Sequence, residues 1–528
     1  MKKKIMIPAA VCFLAISICL VSLAWGAPRE QIFRFNLYTN PISLDPALSY
    51  DSTSDEVLNG VFEGLVRTSR NGGIEPAMAK SWTVSQDGRT YTFKLRGDAA
   101  WSNKQKVKAS DFEYAWKRVL NPATSSPHAY MLYYLAGGEA YHNGTLKNAS
   151  KVGVQAVNDT TLKVTLRSRT PYFLQLAASR AYLPVNPSVV KSNKNWAMSA
   201  KSLVGNGSFT LTKWVPDQEI VLSKNRFYPE AKKIHFDQIK MGIINDPVRE
   251  LAMYKQGQLD WSGPSETNIN VFKLDKATKK DVHTYNPAST YYYVFNVTKP
   301  PFDNVNIRRA LGMAISREML THGTPAYAFV PPGIRGAGKT FREEASGAPY
   351  FKEDADKARE LLKKGMKEEG LSAFPETKLI FNEGHEYISS AVTSMWADNL
   401  GIDVYAEVQP WEELLDNRMA LNFEIARAGW TADYNDPASF LEMFASWSTD
   451  NDSGWHNAEY DSYIRQAQQT GNDAVRMKLY HQAERLLIDQ MVIIPVHYFK
   501  EFTLQKPYVH GVYKDYSGAL VYRDGYLK

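Results

Sequence analysis

The two cysteines of this 528-residue chain, Cys12 and Cys19, both fall within its first 26 residues, so the remainder has no thiol with which to cross-link a fold. Its stability must come from buried apolar surface, and about 500 residues exceed what one hydrophobic core sustains. Two or three domains are expected. The cysteine-bearing segment has its own pattern: Lys2, Lys3 and Lys4 precede an apolar run over 5–24, and Ala24-Trp25-Gly26 places small residues where a signal peptidase cuts. This reads as an export signal, residues 1–26, cleaved after Gly26. The run is long for a signal, which leaves an uncleaved anchor as the alternative. Ile18 before Cys19 is too large for lipid attachment. A chain of this length needs no disulfide to persist outside the cytoplasm.

Loss of the three lysines, with no acid alongside, takes the formal charge from +6 to +3. Lys357, Lys363, Lys364 and Lys367 are interleaved with Glu360, Glu368 and Glu369, as on a solvated helix face. Neither feature is the footprint of a nucleic-acid binder.

From Ile32 the chain alternates short strands and helices without repeats. Residues 81–96 read as a hairpin turning at Gln86-Asp87-Gly88, and 152–166 as another bending at Asn158-Asp159-Thr160. Ser110-Asp111-Phe112-Glu113 has the form of a capping box and predicts a helix over 112–119. Residues 207–222 read as strands, and Asp246 before Pro247 predicts the cap of a helix over 248–256. Ile307, Ala310, Leu311, Ala314 and Ile315 predict a helix over 305–320. A helix over 353–366, a strand over 378–382, a helix over 387–399 and a strand over 402–408 then give β-α-β order and a partly parallel sheet. His385 falls on the loop leaving the first of those strands, where α/β folds tend to hold ligands.

One motif is rejected. Gly333 followed by Gly338-Lys339-Thr340 has P-loop spacing, but Pro331-Pro332 stand where a buried strand is needed and no helix pattern follows. The chain has no HExxH, CxxC or GxSxG pattern, so no metal site, cofactor or catalytic residue is expected.

The most informative stretch is 423–441. Phe423, Ile425 and Ala426 lead into Arg427-Ala428-Gly429-Trp430, and Asp433-Tyr434-Asn435-Asp436-Pro437 makes a turn. Asp436 and Pro437 suit the N-cap and first residue of a helix through Ser439, Phe440, Leu441 and Phe444. Asp433 is then spare, and with Arg427 and Trp430 on the same connection it supplies an anion, a cation and an aromatic plane. Such a set suits a zwitterionic ligand. On pattern alone, a second turn residue and a surface charge remain open readings.

Residues 411–422, the Arg-Ala-Gly-Trp run and Asp433-Tyr434-Asn435-Asp436-Pro437 together resemble the ligand-binding region of bacterial oligopeptide-binding proteins, the extracytoplasmic receptors of ABC importers. The block from Trp101 to the 112–119 helix is similar to the signature region of peptide- and nickel-binding receptors. Tyr291-Tyr292-Tyr293, Asn296 and Pro300-Pro301-Phe302-Asp303 form a third similar stretch. The resemblance spans nearly everything after residue 26. It implies an α/β, two-lobed periplasmic binding protein fold of the large peptide-binding class (type II) with an extra smaller domain. The implied divisions are domain I at 27–62, 188–288 and 501–528, domain II at 63–187, and domain III at 289–500. It further implies a peptide α-ammonium on Asp433 and backbone pairing with Gly429 and Thr431. Arg427, Arg418 and His385 would meet a terminal carboxylate or its water, and Trp411, Trp430 and Tyr292 would wall side-chain pockets. The implied partners are short peptides and an inner-membrane ABC permease, for a monomer that closes on a hinge in the periplasm and uses no cofactor and no nucleic acid.

Departures accompany the likeness. A lysine that relatives carry after the 305–320 helix has no counterpart, a glutamate is replaced by Tyr50, a tyrosine by His128, and the disulfide pair of some relatives by Ser289 and Thr431. These put the shortest peptides and the pocket preferences in question. A receptor of the same fold for murein peptides, dipeptides or nickel chelates is the alternative. A secreted peptidase is the alternative from another class, and it lacks a nucleophile or metal motif.

Overall fold

The structure, a computed structural model, describes residues 30–263, 273, 275–320, 323–345, 349–448 and 450–528. The expected export segment lies outside them. Two mixed sheets dominate. The first has seven strands in the order Val282–Tyr285, Glu501–Gln505, Trp261–Ser262, Ile32–Asn36, Gln238–Gly242, Glu219–Lys224 and Phe209–Val215. Its central strand Ile32–Asn36 runs parallel to both neighbours. Phe33 stacks on Phe236 at 5.2 Å and Phe35 meets Trp261 edge-on.

The second sheet has six strands in the order Thr324–Pro325, Ile493–Tyr498, Ser289–Phe295, Ile425–Thr431, Thr377–Asn382 and Val404–Gln409. Thr377–Asn382 and Val404–Gln409 are parallel and joined by the helix Glu386–Leu400, the β-α-β order read from the sequence. Every residue of Ser289–Phe295 is buried. Tyr291, Tyr293 and Phe295 pack into one apolar cluster and Tyr292 and Val294 into another, which explains an apolar run without polar alternation: the strand is covered on both faces.

A third, four-stranded antiparallel sheet, Ala79–Val84, Thr90–Leu95, Thr161–Thr165 and Val154–Asn158, comprises the two expected hairpins. The helix Ala109–Leu120 packs on it. The chain crosses between the two large sheets at residues 286–288 and again at 499–500. These crossings lie side by side, since Phe499 N donates to Ser289 O at 3.1 Å.

Three local expectations change. The helix expected from 112 starts at Ala109: Asp111, not Glu113, reaches back to the Lys108 amide at 3.0 Å, and Glu113 accepts from the Ala156 amide instead. The helix expected over 305–320 ends at Met313. Its exposed carbonyls are taken by the buried Arg317, which donates to Gly312 O and Ile315 O as well as to Ala326 O and Pro495 O. The helix after Asp436 is a single turn, Ala438–Leu441, followed by the tighter turn Glu442–Phe444, and Asp436 both accepts from the Ala438 amide at 3.1 Å and pairs with the buried Arg476 at 2.8 Å.

Arg317 therefore ties the end of one helix to the second sheet, and its removal strands several buried carbonyls. Arg317→Met is expected to destabilise the protein by about 3–5 kcal/mol. A urea unfolding curve for the variant with the parent's midpoint would contradict this role.

Candidate functional site

Strand Ile425–Thr431 pairs along its whole length with Ser289–Phe295 on one side. On the other side only Ile425 and Ala426 pair, with Leu379 and Ile380. Among the described residues, no strand covers the remaining edge, 427–431. An open edge carries unpaired backbone donors and acceptors, which an extended ligand can complete.

Alternation along the strand decides which side chains share a face. Arg427, Gly429 and Thr431 stand opposite Tyr293, Tyr291 and Ser289. Trp430 falls on the other face with Thr290 and Tyr292, so the sequence-based grouping of Arg427 with Trp430 is corrected: three residues apart in a strand means opposite faces. Trp430 donates from Nε1 to Ser439 O at 2.7 Å, and Tyr292 is wholly buried edge-on to Phe329.

Arg427 is 8% exposed. Its guanidinium lies 4.9 Å from the Tyr291 ring centroid and 3.5 Å from Asn382 Oδ1. It folds back over Gly429, where a Cβ would sit 3.3 Å from Nη2, so the absent side chain makes room for the cation. Burial lowers the pKa of Arg427, and of the groups that act on it most strongly, Tyr291, Arg418 and Tyr293, none is a carboxylate. His385 packs against Tyr291 at 5.4 Å, and burial, reinforced by Arg427, brings its pKa down to about 4, so the ring is neutral at pH 7. Arg418 is elsewhere engaged. Burial opposes its charge, but Asp452 more than offsets that, with Nε 2.6 Å from Oδ2. Trp411, 49% exposed, begins the helix Trp411–Met419.

Asp433 and Thr431 line a cavity of about 790 Å³ between the six-stranded body, the seven-stranded body and the four-stranded body. The Asp433 amide is held by Ser439 Oγ at 2.9 Å, while its carboxylate takes no part in capping. Tyr130 donates to Oδ1 at 3.4 Å and Tyr516 to the Asp433 carbonyl at 3.3 Å. The cations of the cavity are paired elsewhere, Arg180 with Asp55 at 2.5 Å and Lys514 with Glu501 at 2.8 Å. Burial, then the nearby Asp450, pushes the Asp433 pKa up to about 7. A carboxylate so placed is a site for a cation that the protein does not itself supply. Burial also raises Asp55 to about 7 and Glu56 to about 8, leaving the wall that carries them rich in acids.

Tyr130, Tyr516 and Asp450 were not legible as site residues. Only Tyr130 lay near a signal, two residues past His128, which is itself buried against Ser49 O at 2.6 Å. Tyr50 also lines the cavity and is 62% exposed. Ser289 and Thr431 face each other with hydroxyls 2.7 Å apart. The amides of Gly338 and Lys339 in the P-loop-like segment are filled by Glu344 and that of Thr340 by Glu343, so no phosphate cradle forms. A shallower groove of about 850 Å³, lined by Tyr350, Tyr463, Met477 and Leu486, contains none of these site residues.

A family model described as bacterial extracellular solute-binding proteins, family 5 Middle, matches residues 73–452. The chain is 38% identical to the oligopeptide-binding protein OppA of Bacillus subtilis, over 94% of its own length and 93% of the relative's. It superposes on the unliganded open form of the periplasmic murein tripeptide-binding protein MppA with a TM-score of 0.80 at 30% identity, covering 94% of this chain and 98% of the other. The substrate-binding domain of an oligopeptide ABC transporter from Bacillus anthracis gives a TM-score of 0.76 at 29% identity, over 95% and 99%.

The folded protein holds the Asp433 proton up to about pH 7, whereas an unfolded aspartate releases it near 3.8. The charged carboxylate therefore costs stability above pH 7, and this cost fades as the pH falls toward 4. Asp433→Asn is expected to raise the melting temperature of the ligand-free protein at pH 8 by on the order of a degree or two, with no difference near pH 4. Calorimetric scans at both pH values check the sign, and a lower value for the variant at pH 8 would overturn it.

Proposed function

The chain belongs to the bacterial extracellular solute-binding proteins of family 5, and we propose that it captures short peptides outside the cytoplasm and delivers them to an ABC importer. The observation that carries this reading is the pair of unmatched charges on one connection. Among the described residues Asp433 is in no ion pair and Arg427 meets no carboxylate, Arg180 beside Asp433 being paired with Asp55, and the open backbone edge 427–431 runs between them.

A zwitterionic peptide supplies what each lacks. Its ammonium meets Asp433, its backbone pairs with Gly429 and Thr431, and its carboxylate meets Arg427, with the neutral His385 beside it as a hydrogen-bonding group. Four strand steps at about 3.3 Å each carry the open edge from Arg427 to Thr431, with Asp433 two residues beyond its end, a span that accommodates peptides of about three to five residues. Recognition through backbone and termini is indifferent to most side chains, and water fills the space around them. Trp430 belongs to the opposite face and Trp411 to the surface beyond it, where they wall side-chain space, while the wholly buried Tyr292 backs that face and Arg418 is held by Asp452. The protein is exported to the periplasm and works as a monomer. The lobe of domain III (289–500) closes over the ligand against domains I (27–62, 188–288, 501–528) and II (63–187), bending at the paired crossings, and the closed form is what an inner-membrane permease engages.

A murein-derived peptide is a second reading. Asp515 and Glu56 line the cavity beside Asp55, which Arg180 already pairs, and their carboxyl groups offer hydrogen-bonding partners to a ligand with a second cationic group, as diaminopimelate has. Mass spectrometry of small molecules released by denaturing the protein separates the two. Mixed peptides support the general receptor, one diaminopimelate peptide supports the second reading, and a metal chelate contradicts both. Asp433→Ala is expected to weaken binding of trialanine at least about a hundredfold, because the ligand's ammonium is left buried without a partner. Unchanged affinity by titration calorimetry would refute the assignment.

A further inference from the structure

Behind Asp433 lies a cluster of tyrosines around one carboxylate, and the peptide-binding reading uses none of it. Glu442 sits in the short turn Glu442–Phe444, which follows the single helical turn Ala438–Leu441. Its Oε1 accepts from the hydroxyl of Tyr172 at 2.7 Å and from that of Tyr480 at 3.1 Å. Tyr480 is on the helix Asp473–Asp489 of the same lobe and holds Glu442 in place. Tyr172 comes from the other side of the junction, just after the last strand of the four-stranded sheet.

Tyr172 has a second link across that junction. Its ring stacks on Tyr434 at 5.1 Å with an interplanar angle of 13°, and Tyr434 is the residue next to Asp433. On its own side, Tyr172 meets Tyr134 edge-on at 5.7 Å, and the Tyr182 hydroxyl donates to Met131 O at 2.7 Å. These contacts fix the turn Ala129–Leu132, and Tyr130, whose hydroxyl reaches the Asp433 carboxylate, lies in that turn. The position of Tyr130 over Asp433 is thus set by how the four-stranded body seats on the six-stranded one. A ring stack alone permits sliding; a hydrogen bond from the Tyr172 hydroxyl to the held Glu442 carboxyl fixes its register.

We infer that Glu442 is a positioning residue for the ammonium site: through Tyr172 it seats the four-stranded body on the second lobe and thereby holds the Tyr130 hydroxyl against the Asp433 carboxylate. The inference rests on the reading of Asp433 as the ammonium ligand. It makes the four-stranded body a working part of the binding site. Four other ionisable groups act at the same place. Asp450 and Arg180 act on the Asp433 carboxylate, Tyr130 donates to it, and Tyr516 donates to its carbonyl. Loss of the Tyr130 donor alone leaves the others in place and moves the Asp433 proton affinity upward.

The test compares trialanine with N-acetyl-trialanine, which lacks the ammonium, on the full protein and three variants. Tyr172→Phe removes one hydroxyl and keeps the stack; Glu442→Met removes the acceptor and approximates its shape. Both are expected to lower trialanine affinity about tenfold while leaving N-acetyl-trialanine unchanged. Both should also shift to higher pH the point at which trialanine binding is lost on acidification. Equal losses for the two ligands, or an unmoved pH profile, mean that the cluster is merely structural and overturn the inference. Asp433→Asn run in parallel separates the two claims. If it binds trialanine like the parent, the ammonium reading fails and takes this inference with it; if it loses binding while the Tyr172→Phe profile stays put, only the inference fails.

Discussion

The ladder between Ser289–Phe295 and Ile425–Thr431 is the element on which the rest depends. Its first pair, Ser289 with Thr431, sits where the chain crosses from one large body to the other, and its remaining length forms the middle of the second sheet. One register therefore sets three things together: the end of the crossing, the face on which Arg427 emerges, and the edge left unpaired beyond Ala426. A shift by one residue would send Arg427 into the apolar cluster that holds Tyr292 and would turn Trp430 toward Tyr291. Burial of Ser289–Phe295 on both faces makes such a shift expensive, because every side chain would exchange one packed environment for another.

The charges of the site are arranged against stability. Burying Arg427 with no carboxylate paired to it among the described residues, and setting Asp433 near Asp450, both cost free energy in the empty protein. Elsewhere in the same lobe several buried charges are matched by an opposite charge, Arg476 with Asp436, Arg342 with Glu484 and Arg418 with Asp452, while Arg308 is satisfied by backbone carbonyls and Glu442 by tyrosine hydroxyls. The contrast is what distinguishes the candidate site from structural ion pairs of similar burial. It is a difference in pairing, which composition alone does not reveal.

Much of the architecture was legible because its signals are local. Hairpins announced by Gln86-Asp87-Gly88 and Asn158-Asp159-Thr160, and the β-α-β order around His385, follow from short-range periodicity and turn chemistry. Asp433 could be separated from the cap because Asp436 and Pro437 are the better capping pair, and that separation stands even though the helix is only one turn. What was not legible came from distance. Tyr130 is 303 residues and Tyr516 83 residues from Asp433 in sequence, and no spacing rule brings them together. Arg317 ended a helix early by supplying donors from its own side chain, which helical periodicity does not register. The grouping of Arg427 with Trp430 failed for a simpler reason: adjacency in sequence was allowed to stand for adjacency in space, against the alternation of a strand.

The hydroxyl contact between Ser289 and Thr431 has a consequence for how the molecule is made. No described residue is a cysteine, so the junction of the two bodies closes by hydrogen bonding alone and needs no oxidant, isomerase or shuffling of bridges to reach its native form. The described residues then reach their fold by collapse and strand pairing, with no disulfide step. A junction opened at this point can close again without any covalent repair.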